Sequence, residues 1–191
     1  MKWNQWPANG LSALVGLLLC GLAWAQADSA SPDPWLLVDT QTQTLSIQRG
    51  DEVIQAFTGI AIGRFGTTEA KHTLDGKTPL GEFRITRIAE RTSFHRFFGL
   101  DYPNLTHARA GLETGRISRA EFAAIRAALK QGVTPPQQTA LGGLIGIHGL
   151  GDGDPVVHED FNWTNGCVAL TNEQMDDLAQ WVYEGMRVII R

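Results

Sequence analysis

The chain has 191 residues, 43% hydrophobic and 19% charged, with a formal net charge of −4. That length suits one domain with a real core after a short leader, and an acidic balance without any basic run excludes an electrostatic footprint for nucleic acid or anionic lipid. Cys20 and Cys167 are the only cysteines, so disulfides do not staple the fold and hydrophobic burial has to hold it.

Lys2 is followed by an uncharged apolar run at residues 11–24 and by Ala23-Trp24-Ala25, the form of an export signal with an A-x-A cleavage site. Residues 1–25 are therefore expected to be a signal peptide, with the mature chain starting at Gln26. The apolar run is shorter than the roughly 20 residues a spanning helix needs, so no stable membrane span is expected. Leu17-Leu18-Leu19 puts no small residue before Cys20, which argues against a lipid anchor. Residues 26–34, rich in Ala, Ser, Asp and Pro, read as a flexible leader, and one domain follows over residues 35–191.

Residues 35–39, 44–49 and 53–62 are short β-prone runs; Leu45 and Ile47 alternate with Thr44, Ser46 and Gln48, and Gly50-Asp51 supplies a turn. An antiparallel meander is expected. A polar loop at residues 63–77 leads through the Thr78-Pro79-Leu80-Gly81 turn into a strand at residues 82–88. Ser118 and Glu121 form a capping box before Phe122, Ile125 and Leu129, and Gly132 ends that helix. Residues 144–148 read as a buried strand delivering His148 at its end, and residues 167–170 as a second short strand. Thr171 and Gln174 cap another helix striped by Met175, Leu178, Ala179 and Val182, which Gly185 ends before a closing strand at residues 186–190. The pattern predicts a mainly β domain with two helices, an α+β fold, and leaves residues 91–139 as a candidate lid.

Once Cys20 is removed, Cys167 is the single thiol of an exported chain, which makes it a candidate nucleophile. A thiol of ordinary pKa, about 8.5, is mostly protonated at neutral pH and needs an imidazole to activate it. His148 is the best-placed partner, because its separation of 19 positions from Cys167 suits two adjacent strand ends. Gly166 would let a substrate carbonyl approach the backbone, and the Cys167 N–H is a candidate oxyanion donor. His158 reads as a solvated-loop residue, and Trp163 with Phe161 as candidate cleft walls. His72, His95 and His107 lack partner motifs. Asp152-Gly153-Asp154 fails the EF-hand pattern, since Val157 and Trp163 stand at its sixth and twelfth positions. A zinc peptidase built on His148, His158 and an acidic residue, with or without Cys167, is a rival reading, but the spacing matches no compact zinc motif, so no metal is expected.

Gly63-Arg64, the run Asp75-Gly76-Lys77-Thr78-Pro79-Leu80-Gly81, Ile147-His148-Gly149 and Gly166-Cys167 together carry a family likeness. Through them residues 35–191 resemble the L,D-transpeptidases with a YkuD-type catalytic domain, which remodel bacterial peptidoglycan. The resemblance implies a YkuD-like β-sandwich, Cys167 as nucleophile, His148 as general base, no cofactor, a carbapenem adduct at Cys167 and a place in the periplasm. Gly166, Gly149, Asn165, Trp163 and His158 are the remaining candidates for oxyanion or cleft positions. The implied reaction takes a diaminopimelate-containing stem peptide, releases its terminal D-alanine and transfers the acyl group to an amine of another stem peptide or a cell-wall lipoprotein. The alternatives are a cysteine hydrolase releasing lipoprotein or D-alanine, and a non-catalytic wall-binding module. Two positions depart from the family's habit: Thr164-Asn165-Gly166-Cys167 replaces Ser-His-Gly-Cys, and Ala169 replaces the Arg often found two places after the cysteine.

Overall fold

The computed structural model describes residues 1–2 and 33–191. All of the expected signal after residue 2, its cleavage site, Cys20 and most of the expected leader lie outside the described residues. The domain opens with the expected meander: β1 (Trp35–Asp39), β2 (Thr44–Arg49) and β3 (Glu52–Thr58) pair antiparallel. Leu36, Val38, Leu45 and Ile47 are fully buried, each such side chain being worth roughly 1.5–3 kcal/mol relative to exposure. Ser46 and Gln48 are buried too, and the Gln48 amide donates to Ser46 Oγ at 2.7 Å. Both faces of β2 are thus covered, where the alternation predicted one polar face.

β3 stops at Thr58, four residues short of the expected end. Gly59 takes φ 71° and turns the chain so that Ala61 bridges to Ala169 and Gly63 to Thr164. The polar loop contains a small parallel pair, β4 (Thr67–Thr68) with β5 (Thr78–Pro79). The next strand, β6 (Gly81–Thr92), is longer than predicted because its two ends serve different partners. Its start pairs with β10 (Arg187–Ile190) and its continuation with β7 (His95–Leu100). β8 (Gly146–His148) and β9 (Val168–Ala169) complete the order β3-β2-β1-β10-β6-β7-β8-β9. Leu36, Leu45 and Val188 share one core cluster with Phe98, Ile147 and Val168, so the two halves of the sheet fold over a common interior about β6, as a sandwich does.

Among the described residues four helices accompany the sheet: α1 (Leu105–Glu113), α2 (Arg119–Lys130), α3 (Pro155–Asp160) and α4 (Asn172–Ala179). α2 and α4 carry the predicted capping boxes; Ser118 N donates to Glu121 Oε2 at 2.7 Å and Glu121 N to Ser118 Oγ at 3.2 Å. α1, α3 and β7 went unread. α1 mixes apolar and charged residues without a clear stripe, α3 is too short for a helical period to register, and His95 and Arg96 mask the apolar end of β7.

Candidate active site

β8 and β9 run parallel with Ile147 opposite Val168 and His148 opposite Ala169. Extending that register places Gly146 opposite Cys167, so Cys167 and His148 project from the same face of neighbouring strands, one pleat apart. Diagonal neighbours of this kind have Cα atoms about 7–8 Å apart, within side-chain reach. Glycine is required at position 146, where a Cβ would lie 2.6 Å from Phe98 O and from the Phe97 ring.

His148 is held by its surroundings. Its ring lies 4.4 Å from Phe94, 6.3 Å from Phe97 and 5.7 Å from Trp163, centroid to centroid. Its Nδ1 lies 2.7 Å from Gly149 O, and since a carbonyl only accepts, Nδ1 carries the proton and Nε2 keeps its lone pair. Burial lowers its pKa, reinforced by nearby His158 and opposed by the Gly149 carbonyl. The ring is therefore neutral and has the tautomer of a base.

The Cys167 thiol donates to Leu144 O at 3.3 Å. Leu144 reaches that position with a left-handed backbone, φ 57°, which costs a leucine about 1–2 kcal/mol. Burial pushes the thiol up to about 11, while the Gly146 N–H and the Lys71 ammonium favour the thiolate. The residue is half-buried on an open cleft, and solvent at the sulfur moderates the rise. A neutral thiol donating to Leu144 O and a neutral imidazole on the same cleft form the resting state, so the proton must move as attack begins.

Thr164 builds the loop before the nucleophile. Its buried hydroxyl donates to Cys167 O at 2.7 Å and accepts from Gly166 N at 3.0 Å. Gly166 has φ 132°, and a Cβ on it would come within 2.6 Å of Lys77 O. Since the Gly166 N–H is engaged, the Cys167 N–H is the loop's candidate oxyanion donor. Behind the loop, Lys71 Nζ and Asp75 Oδ1 form an ion pair at 2.6 Å. Burial by itself would raise the Asp75 pKa, but Lys71 and the His72 and Lys77 N–H groups outweigh it and hold the carboxyl below its ordinary value.

Cys167 and His148 open onto a cleft of about 1120 Å³ that Trp163, Asn165, Phe94 and Leu144 also line. That volume suffices for a peptide-sized ligand. Three cations, Arg64, Lys71 and Arg87, stand on its walls, and no carboxylate does among the described residues. Asn165 is exposed at the lip and accepts from the Arg64 guanidinium. Gly149, Gly166 and His158 lie behind the cleft. A Cβ at Gly149 would be 2.7 Å from Asn172 Oδ1, and its carbonyl orients His148.

Three expectations are corrected. His158 is not on a solvated loop: it is 5% exposed in α3, and its Nδ1 accepts from Trp163 Nε1 at 3.3 Å, which braces that cleft wall. The helix of the candidate lid does not cover the cleft. α1 and α2 pack on each other through Ala108, Ile117, Ile125 and Leu141, and the parts of the segment that reach the cleft wall are Thr92–Phe94 with Phe97 before α1 and Gln137–Thr139 after α2. Phe161 is 63% exposed and off the cleft, unlike Trp163. Lys71 went unread, and Thr164 and Asp75 were read only as motif positions, because their partners lie in distant sequence or in backbone that no local pattern reveals. Among the described residues, no three His, Cys, Asp or Glu side chains gather closely enough to hold a metal ion.

Residues 33–190 match the YkuD family, described as an L,D-transpeptidase catalytic domain. The fold is similar to that of the helical cell shape determining protein Pgp2 from Campylobacter jejuni, at 21% identity and a TM-score of 0.57, covering 84% of this chain and 49% of that one. It is also similar to Bdellovibrio bacteriovorus Bd1075, at 19% identity and a TM-score of 0.51, covering 86% and 50%. The chain thus spans about half the length of these solved structures, and at such identities the likeness is one of fold. No curated protein matches the chain. The family match takes in every strand of the sheet that carries Cys167 and His148, and this chain accordingly belongs to the L,D-transpeptidase family with a YkuD-type catalytic domain.

Proposed function

We propose that this domain is an exported peptidoglycan L,D-transpeptidase that works by cysteine acyl transfer. The observation that carries the reading is the 2.7 Å contact between His148 Nδ1 and Gly149 O, which leaves Nε2 as a base on the cleft that Cys167 shares. His148 Nε2 takes the thiol proton, and the sulfur attacks the carbonyl carbon of the bond between diaminopimelate and the terminal D-alanine of a donor stem peptide. The oxyanion is met by the Cys167 N–H. Collapse breaks the C–N bond, His148 returns its proton to the leaving D-alanine amine, and a thioester remains on Cys167. An acceptor amine on a stem peptide or a cell-wall lipoprotein then attacks, gives a proton to His148, and expels the thiolate as the new amide forms. The cationic cleft walls suit the carboxylates of such peptides. The same reading places the protein in the periplasm and makes Cys167 the site of a carbapenem adduct.

The cysteine hydrolase reading is favoured by one feature: α1 and α2 leave the cleft uncovered, so water has access to the thioester. Incubating the mature protein with tetrapeptide muropeptides and with lipoprotein-linked peptidoglycan, then resolving products by mass, separates the readings. Cross-linked dimers or amine adducts are expected. Tripeptide or released lipoprotein alone at high acceptor concentration would make the enzyme a hydrolase, and no turnover would make it a binding module.

A further inference from the structure

Two charged side chains beneath the nucleophile have no part in the reaction outlined above. The Lys71 and Asp75 side chains are 4% and 5% exposed. Desolvating such a pair costs several kcal/mol per ion, and an apolar pair of similar volume commonly stabilises as well, so the charges themselves point to a use. The pair is oriented. Asp75 faces its own loop, accepting from His72 N at 2.9 Å and Lys77 N at 3.0 Å. Lys71 faces the nucleophile loop: its Nζ lies 3.4 Å from Asn165 O, and 3.0 Å from where a Cβ on Gly166 would be. An ammonium has three donors. Asp75 and Asn165 take two, and Lys71 shares the cleft wall with Cys167.

We propose that Lys71 is a positioning residue for the nucleophile: clamped by Asp75, its ammonium pins the Asn165-Gly166 backbone and places a positive charge beside the Cys167 sulfur, favouring the anion formed when His148 takes its proton. This rests on the reading of Cys167 as nucleophile. The charge acts in the needed direction, since burial raises the thiol pKa and Lys71 opposes that rise. The other charged or titratable groups on the same cleft are His148 from β8, Arg87 from β6 and Arg64, which bonds Asn165. Asp75 is off the cleft wall, so it weakens the field of Lys71 at the sulfur without reversing it.

The test is the pH dependence of Cys167 alkylation by iodoacetamide in the full chain, read by intact mass, which requires no turnover. Lys71→Met/Asp75→Asn removes both charges at similar volume. Lys71→Gln removes the ammonium, leaves the Asp75 carboxylate and keeps an amide donor for Asp75 and Asn165, as a second variant without the cation should the first unfold. A folded variant without the cation is expected to alkylate about 3- to 10-fold more slowly at pH 7, the effect of raising the thiol pKa by about half a unit to one unit. Lys71→Arg is expected to recover most of the rate, and on muropeptides the variants without the cation should lose kcat with KM little changed. A folded variant without the cation but with the wild-type alkylation profile would overturn the proposal, as would Lys71→Arg displaced as far as those variants. A Lys71-dependent profile in a chain that turns over no muropeptide would leave this inference standing and remove the transpeptidase reading.

Discussion

A thiol whose pKa is pushed up by burial and an imidazole whose pKa is lowered by it form a pair that is neutral at rest. Catalysis then depends on transferring one proton at the moment of attack, which places the demand on both residues separately. Cys167→Ser is expected to abolish turnover while leaving the far-ultraviolet circular dichroism spectrum intact, because the same base cannot ionise a hydroxyl to a useful extent. His148→Ala should retain a folded enzyme slowed by about 10²- to 10⁴-fold, the usual worth of a general base. Wild-type activity in either variant would remove that residue from the mechanism. The pH dependence follows from His148. Its pKa lies below the ordinary value, so the base stays neutral to lower pH than a free imidazole. The acid limb of kcat/KM should fall below about pH 6.5. Stability carries the same sign: the contribution of a neutral buried His148 is fully present above the unfolded value of about 6.5 and is lost as pH falls toward the lower folded pKa. An acid limb above pH 6.5 would contradict the burial argument.

At the scale of elements, the two capping boxes were legible because a capping box is a matter of four consecutive residues. Their surroundings were not. α2 reads as an amphipathic helix from Phe122, Ile125 and Leu129, yet nothing in that stripe tells whether it faces the cleft or α1. The structure gives the stripe to α1 and to Leu141, with Gly111 allowing the close approach: a Cβ there would be 2.8 Å from a Leu141 methyl. Ser118→Ala therefore has a separable effect. Loss of the cap should cost about 1 kcal/mol in chemical unfolding, while the turnover of muropeptides stays at the wild-type level. A drop in turnover out of proportion to that destabilisation would return α2 to the role of a lid.

For the whole molecule, the readings of export and of chemistry depend on each other, since a lone thiol is informative only if the chain leaves the cytoplasm. Intact mass of the protein recovered from the periplasm should correspond to a start at Gln26; a species still carrying residues 11–24 would overturn the expectation of cleavage. What the sequence by itself determined is what short-range chemistry encodes: the antiparallel meander from period-two alternation, both capping boxes, Cys167 after Gly166, and His148 at the end of an apolar run. These depend on neighbours a few positions apart. Only the tertiary structure decided that β6 serves both halves of the sandwich, that the β8–β9 register brings Cys167 and His148 to one face, that Gly149 O sets the imidazole proton, and that His158 braces Trp163. It alone brought Lys71 beneath Asn165 and Gly166, 94 positions from Asn165 in sequence. The physical reason is that hydrogen bonds and ion pairs across such separations arise only after the sheet has closed, and a lysine in a polar loop looks the same in sequence whether it meets water or a nucleophile.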